Sequence, residues 1–350
     1  MERGVNMRVD TILLAVSRGL DIVEGEVVGV ASGHSKRVAA LCTSMGAAIG
    51  MSNDELITLS VCALFHDSAL TEWLVSGDSL MEHCEMGQRN IETLPLPTDV
   101  SGLVLYHHER SDGSGLYGLR DVPVGAEIIS LADALDAGYP LDGFSPKIQA
   151  LFNTQAGYTV IPEWHLPPQD AMKLGGIIAK SIDYKSKFTR RHTVGIAEKA
   201  KQMAQFYNYD EETTAKLYLA ACLHDLGKLS TPTTVLEKPG KLTDEEFETI
   251  KNHVLQTYEL LDGVDEDIRH WAAAHHEKLD GTGYPFGIAT DSLHFNAQLM
   301  ACIDIYQAIS EERPYHPARS HAETMHIMYQ MSLNGVINDS IVRDLDKAME

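Results

Sequence analysis

Apolar residues along this chain recur at intervals of three and four rather than two. Leu56, Leu59, Ala63 and Leu64 follow that spacing, as do Leu217, Ala220, Ala221 and Leu223, and again Phe247, Ile250, Val254 and Leu255. Such spacing lays one apolar stripe along a helix, whereas a half-buried strand would alternate. The start signals agree. Ser52 with Glu55, and Thr243 with Glu246, have the hydroxyl and carboxylate of a capping box, and Asn208 stands similarly ahead of Glu211. A further apolar segment, Ile268, Trp271, Ala272, Ala273 and Ala274, runs into His275, and residues 341–349 read as an amphipathic helix packed on the second half. An all-α architecture is expected. GYTVIPEWHLPPQD, residues 157–170, interrupts it, because Pro162, Pro167 and Pro168 forbid a continuous helix. The expected domains are therefore 1–157 and 158–350, with a helix starting near Asp170.

Polar residues interrupt the stripes in a pattern that occurs twice. His34 precedes His66-Asp67 by 32 residues, and His192 precedes His224-Asp225 by the same 32. His83 then matches His253, His107-His108-Glu109 matches His275-His276-Glu277, and Asp112-Gly113-Ser114-Gly115 matches Asp280-Gly281-Thr282-Gly283. Asp133 matches Asp304. A recurrence in one order over so many ligand-type residues reads as a duplicated helical module.

Bulk properties narrow the chemistry. With 350 residues and 44% hydrophobic content the chain can build two ordinary cores. A formal charge of −22 argues against a nucleic-acid polymer as partner but not against a small phosphate ligand. Cys42, Cys62, Cys84, Cys222 and Cys302 are scattered and odd in number, as in a reduced, cytoplasmic protein. No membrane span and no signal-peptide core is read from the sequence.

In the second half, His275-His276 close a helix and the stiff turn Gly281-Thr282-Gly283-Tyr284-Pro285 follows, with Glu277 and Asp280 between. Paired histidines with carboxylates nearby suit a transition metal. His224 and Asp225 can each donate to a metal, and a carboxylate can bridge to a second. With His192, His253, His275, His276 and Asp304 there are ligands for two divalent ions. Two such ions can activate a water and clamp the attacked phosphate. Lys228, on the neighbouring turn, can stabilise phosphate charge. Singly, each residue has a plainer reading: His253 as an ordinary helix histidine, Lys228 as a helix-end cation, the loop as a tight connection.

The paired His-Asp, the separate histidine, the His-His and the Gly-Tyr-Pro loop, in that order, resemble the HD-GYP family of cyclic-dinucleotide phosphodiesterases over residues 180–320. The resemblance implies two tandem HD-type helical domains, with the second opening a bacterial second messenger, cyclic di-GMP or 3′3′-cyclic GMP-AMP, to a linear dinucleotide. It implies Asp225 as the metal bridge, iron or manganese as the metals, and Lys228 in contact with phosphate and with Asp280, so that Asp225, Lys228 and Asp280 are the catalytic candidates. Gly283, Tyr284, Arg313 and Tyr315 are the substrate-binding candidates, with Arg313 gripping phosphate or a guanine edge and the tyrosines stacking on a base. Phe188 stands where some members carry a glutamate for a third metal, which favours two. The expected partner is a small cyclic dinucleotide, with no membrane, and a homodimer is admitted. A general HD nucleotide phosphohydrolase and a non-catalytic signalling module are the alternatives.

The first half keeps His34, His66, Asp67, His83, His107, His108 and Asp133, a possible second metal site. Leu70 stands where the other half has Lys228, Gly115-Leu116-Tyr117 replaces Gly-Tyr-Pro, and Asp142 matches Arg313. A degenerate domain, regulatory or scaffold, is expected there.

Overall fold

The structure, a computed structural model, describes all residues except 1–4, 30, 70–78, 154–160, 184, 186–191, 290–291 and 313–317. Among the described residues the regular structure is helical, apart from one pair of two-residue strands. The chain forms two compact units, Arg8–Leu166 and Pro167–Glu350, the latter including Met1–Met7.

The first unit is built from α1 (Asp10–Val28), α2 (His34–Ala48), α3 (Asn53–Leu64), α4 (Leu80–Ile91) and α5 (Val124–Ala137). Helix α2 packs on α1, α3 and α5. The expected capping box is made at the start of α3, where Ser52 accepts from Glu55 N–H and the Glu55 carboxylate accepts from Ser52 N–H at 2.7 Å. Phe65, Leu59, Leu64, Ile128, Ile129 and Leu131 fill the core.

The second unit comprises α6 (Gly175–Asp183), α7 (His192–Phe206), α8 (Glu211–Leu223), α9 (Asp244–Leu260), α10 (Glu266–Ala273), α11 (Phe295–Ser310), α12 (His321–Leu333) and α13 (Asp339–Met349). Thr243 and Glu246 form the capping box at α9. The start of α8 departs from expectation. Asp210, not Asn208, accepts from Thr213 N–H at 2.7 Å, while Asn208 takes a left-handed φ of 55° that ends the preceding segment. Near Asp170 there are only short helical turns, Pro168–Ala171 and Met172–Leu174, before α6 begins. The C-terminal helix starts two residues earlier than expected, because Asn338 caps it, and buries Ile341, Val342 and Leu345.

Leucine-rich α8 ends at the His224-Asp225 turn, which continues into a short 3-10 segment, Leu226–Ser230, packed on α9. Gly227 makes that packing possible: a Cβ there would collide with the backbone of His253 and Thr257 on α9. Thr257 completes the join, accepting from Gly227 N–H at 2.9 Å and donating to His224 C=O at 3.0 Å. The first unit makes the same join with the small residue on the other side. Ala69 lies on the turn, and Gly87 on α4 faces His66 C=O. Glycine placement is therefore set by backbone approach between turn and helix, and either partner can provide it.

Candidate metal centre

Five elements of the second unit deliver their side chains to one point. His192 starts α7, His224 and Asp225 leave the end of α8, His253 sits inside α9, His275 and His276 follow α10, and Asp304 lies in the middle of α11. All seven sequence-predicted ligands are thus brought together, and His276 alone among them is not fully buried.

Backbone chemistry fixes which nitrogen each ring presents. Nδ1 of His224, His253 and His275 lies 2.7, 2.5 and 2.7 Å from the carbonyls of Ala221, Ile250 and Ala272 respectively, each three residues back. Donation to those carbonyls leaves Nε2 as the basic nitrogen facing inward. For His192 the same service comes from a side chain, Glu311, whose Oε2 is 3.0 Å from Nδ1. Glu311 was not singled out in the sequence, because nothing local distinguishes a carboxylate 119 residues away from its partner.

Asp225 occupies the centre. Its Oδ2 lies 3.1 Å from His224 Nε2, while Oδ1 lies 3.1 Å from His253 Nε2 and 3.9 Å from His275 Nε2. On the far side Asp304 Oδ1 is 3.3 Å from His192 Nε2. The donors fall into two groups compact enough for an ion each, His192 with His224 and Asp225, and His253 with His275 and His276.

The electrostatics suit cations. Burial would raise the Asp225 carboxyl, yet His224 and Lys228 hold it well below the usual carboxylate range. Asp304 is likewise depressed, chiefly by His192 against the effect of burial. Burial lowers His275 strongly and His276 to about 4, so both rings stay neutral and available as ligands. The residues fit a metal centre on a structural observation as well: His224 Nε2 and Asp225 Oδ1 are buried with no hydrogen bond of ordinary geometry.

Two expectations are corrected here. Lys228 Nζ donates to Asp225 Oδ2 and not to Asp280. Asp280 is exposed, and its Oδ1 accepts from Thr282 N–H at 2.9 Å and Thr282 O–H at 2.7 Å, because a short carboxylate at that position closes its own turn. Glu277 is not turned to the histidines either. Buried, it accepts from Phe286 N–H at 2.8 Å and Ile288 N–H at 2.9 Å and so anchors the Gly-Tyr-Pro loop. Gly283 lets that loop press on the backbone of Glu277 and Lys278. Tyr284, expected to face a base, stacks one ring face on His276 at 4.8 Å between centroids. Arg313 and Tyr315, like Leu70 and Phe188, lie outside the described residues.

The first unit repeats the arrangement. Asp67 Oδ2 is 3.4 Å from His66 Nε2, and Oδ1 is 2.8 Å from His83 Nε2 and 3.5 Å from His107 Nε2. Asp133 Oδ1 lies 3.3 Å from His34 Nε2. His108 packs on His107 at 3.9 Å. Cys84 joins His83, His107 and His108 within ligand range, where the second unit has Val254. Glu109 anchors the loop as Glu277 does, accepting from Tyr117 and Leu119 N–H. That span is one residue shorter than in the second unit, ten residues against eleven.

Two positioning residues give direct tests. Glu311→Gln is expected to weaken metal binding by about 10–100-fold, the usual effect of losing a partner that orients a ligand histidine; titration of the metal-free chain with Mn²⁺ measures it. Glu277→Ala is expected to cost about 3 kcal/mol of stability, two charge-assisted hydrogen bonds at ~1.5 kcal/mol or more each, read from urea denaturation.

Comparison with known proteins accords with this geometry. Family models described as "HD domain" match residues 32–138 and 176–340. The chain is 26% identical to 3′3′-cGAMP-specific phosphodiesterase 1 of Vibrio cholerae, over 98% of this chain and 93% of that protein. It is 33% identical to a cyclic di-GMP phosphodiesterase of Pseudomonas aeruginosa, over 47% of this chain and 40% of that protein. The crystal structure of a cyclic GMP-AMP-specific phosphodiesterase of V. cholerae has the same fold, with a TM-score of 0.63 at 19% identity, covering 99% of this chain and 98% of that one. Among the described residues no helix is long and apolar enough to cross a membrane. The chain is a tandem HD-domain protein, homologous to the cyclic-dinucleotide phosphodiesterases of the HD-GYP family.

Proposed function

We propose that the second unit hydrolyses one phosphodiester bond of a cyclic dinucleotide, cyclic di-GMP or 3′3′-cyclic GMP-AMP, to give the linear dinucleotide. The observation that carries this reading is the placement of Asp225, whose two oxygens address two separate groups of histidines. His192, His224 and Asp304 would hold one divalent ion and His253, His275 and His276 the other, with Asp225 between the two groups. Iron or manganese suits this histidine and carboxylate set. Bound there, such ions would supply a more acidic water and positive charge for the attacked phosphate. Lys228, beside Asp225, places a cation where charge develops on the phosphate or the departing oxygen. The Gly283-Tyr284 loop forms one wall of the substrate site, held by Glu277 and seated on His276. Asp280 keeps the loop's turn closed, and Arg313 and Tyr315 grip phosphate and base.

The first unit, with Leu70 in place of the lysine and a shortened loop, is a partner domain that does not hydrolyse this substrate. We place the boundary between the domains in the proline-rich stretch 157–170 and the chain in the cytoplasm, where its five buried cysteines stay reduced.

Turnover of both cyclic dinucleotides, beside a panel of nucleotide mono- and triphosphates, tests the proposal. The expected result is linearisation of at least one cyclic dinucleotide by manganese- or iron-loaded protein, abolished by chelation and restored by the metal. Similarity over nearly the whole chain to a 3′3′-cGAMP-specific enzyme supports trying that substrate first. Survival of both cyclic dinucleotides with metal demonstrably bound would overturn the reading.

A further inference from the structure

The histidine cluster of the first unit receives a carboxylate from outside the repeated motif. Glu24 lies on α1, ten residues before His34, and is 3% exposed. Its Oε1 is 3.4 Å from His34 Nε2, the nitrogen that Asp133 Oδ1 approaches at 3.3 Å from another helix. Nδ1 of the same ring is already engaged by Asp136 Oδ2 at 2.7 Å, and Arg37 braces that carboxylate at 2.6 and 2.8 Å. The ring is therefore locked with Nε2 between two carboxylates. No hydrogen bond of ordinary geometry satisfies it, and the same holds for Nε2 of His66 and His107, all three rings being 0% exposed. His66 and His107 have spent Nδ1 on the carbonyls of Ala63 and Val104.

Buried carboxylates gathered on unsatisfied imidazole nitrogens are costly unless a cation joins them. We propose that the first unit holds a divalent metal ion at the His34, His66 and Asp133 end of its cluster, and that Glu24 is a ligand of that ion. The assignment goes beyond the repeat. The corresponding helix of the second unit, α6, buries Ala179, Ser181 and Ile182 and carries no acidic residue before its last position, Asp183. The first unit thus has three carboxylates, Glu24, Asp67 and Asp133, where the second has two, Asp225 and Asp304.

This difference has a chemical consequence. A more oxygen-rich donor set favours manganese or ferrous ion over zinc. A glutamate bound to the ion also takes a coordination position that a phosphate oxygen would need. The first unit's ion is therefore held as part of the fold rather than offered to a phosphodiester. The assignment is independent of what the second unit hydrolyses.

The test uses the full chain carrying Asp225→Ala, to weaken metal retention in the second unit, with and without Glu24→Gln. Both proteins are loaded with Mn²⁺, desalted and measured for bound manganese by elemental analysis. The Asp225→Ala chain is expected to retain manganese, and the added Glu24→Gln to remove about one equivalent or weaken its binding by about tenfold or more, at least the loss typical of an outer-shell partner. Without metal, the Glu24→Gln chain is expected to melt at or above its parent's temperature, since a neutral isostere replaces a carboxylate facing Asp133. Absence of manganese from the Asp225→Ala chain would overturn the proposal. So would undiminished retention with Glu24→Gln, or a metal-free variant melting well below its parent, which would make Glu24 a packing residue.

Discussion

Asp225→Ala is expected to lower turnover of the cyclic dinucleotide by at least about a thousandfold, ~4 kcal/mol of barrier, and to strip most metal from the second unit. The size follows from its position. One carboxylate serves His224 through Oδ2 and His253 and His275 through Oδ1, so its loss uncouples both halves of the ligand set at once. A residue at the rim of one ion would weaken that ion alone. Elemental analysis and single-turnover kinetics on the same preparation separate the two effects. Full activity in the variant would place the chemistry elsewhere, and metal retained at wild-type level would remove the bridge.

Lys228→Met is expected to lower kcat by about 10²–10³, the range found when one preorganised donor to a developing charge is removed, while the metals stay bound. The methionine keeps the length and apolar stem of the lysine and discards its cation, so the fold of the half-buried Leu226–Ser230 turn is preserved. Because Lys228 Nζ donates to Asp225 in this structure, a competing reading makes it a structural partner of that carboxylate. The two separate cleanly: a structural role predicts metal loss in Lys228→Met, a role on the phosphate predicts intact metal with slow turnover. Lys228→Arg is not expected to rescue, since a planar guanidinium cannot occupy the place of a compact ammonium between the turn and Asp225.

What the sequence by itself determined was the helical class, the duplication and the seven histidines and aspartates that the fold gathers in each unit. Those were legible because metal chemistry needs particular residue types, and helix geometry carries them at spacings that survive duplication, such as the interval of 32 from His34 to His66 and from His192 to His224. Capping at Ser52 and Thr243 was legible for a related reason, since both partners lie within one turn. Tertiary structure alone decided the carboxylates. Glu277, Asp280, Glu311 and Glu24 are chemically near-equivalent letters in the sequence, yet one anchors a loop, one closes its own turn, one orients a histidine and one faces the first unit's cluster. A carboxylate accepts from any donor within reach, so its role depends on which backbone or ring the fold brings to it. For Glu311 and Glu24 that partner arrives from a different helix, and no local pattern encodes the meeting.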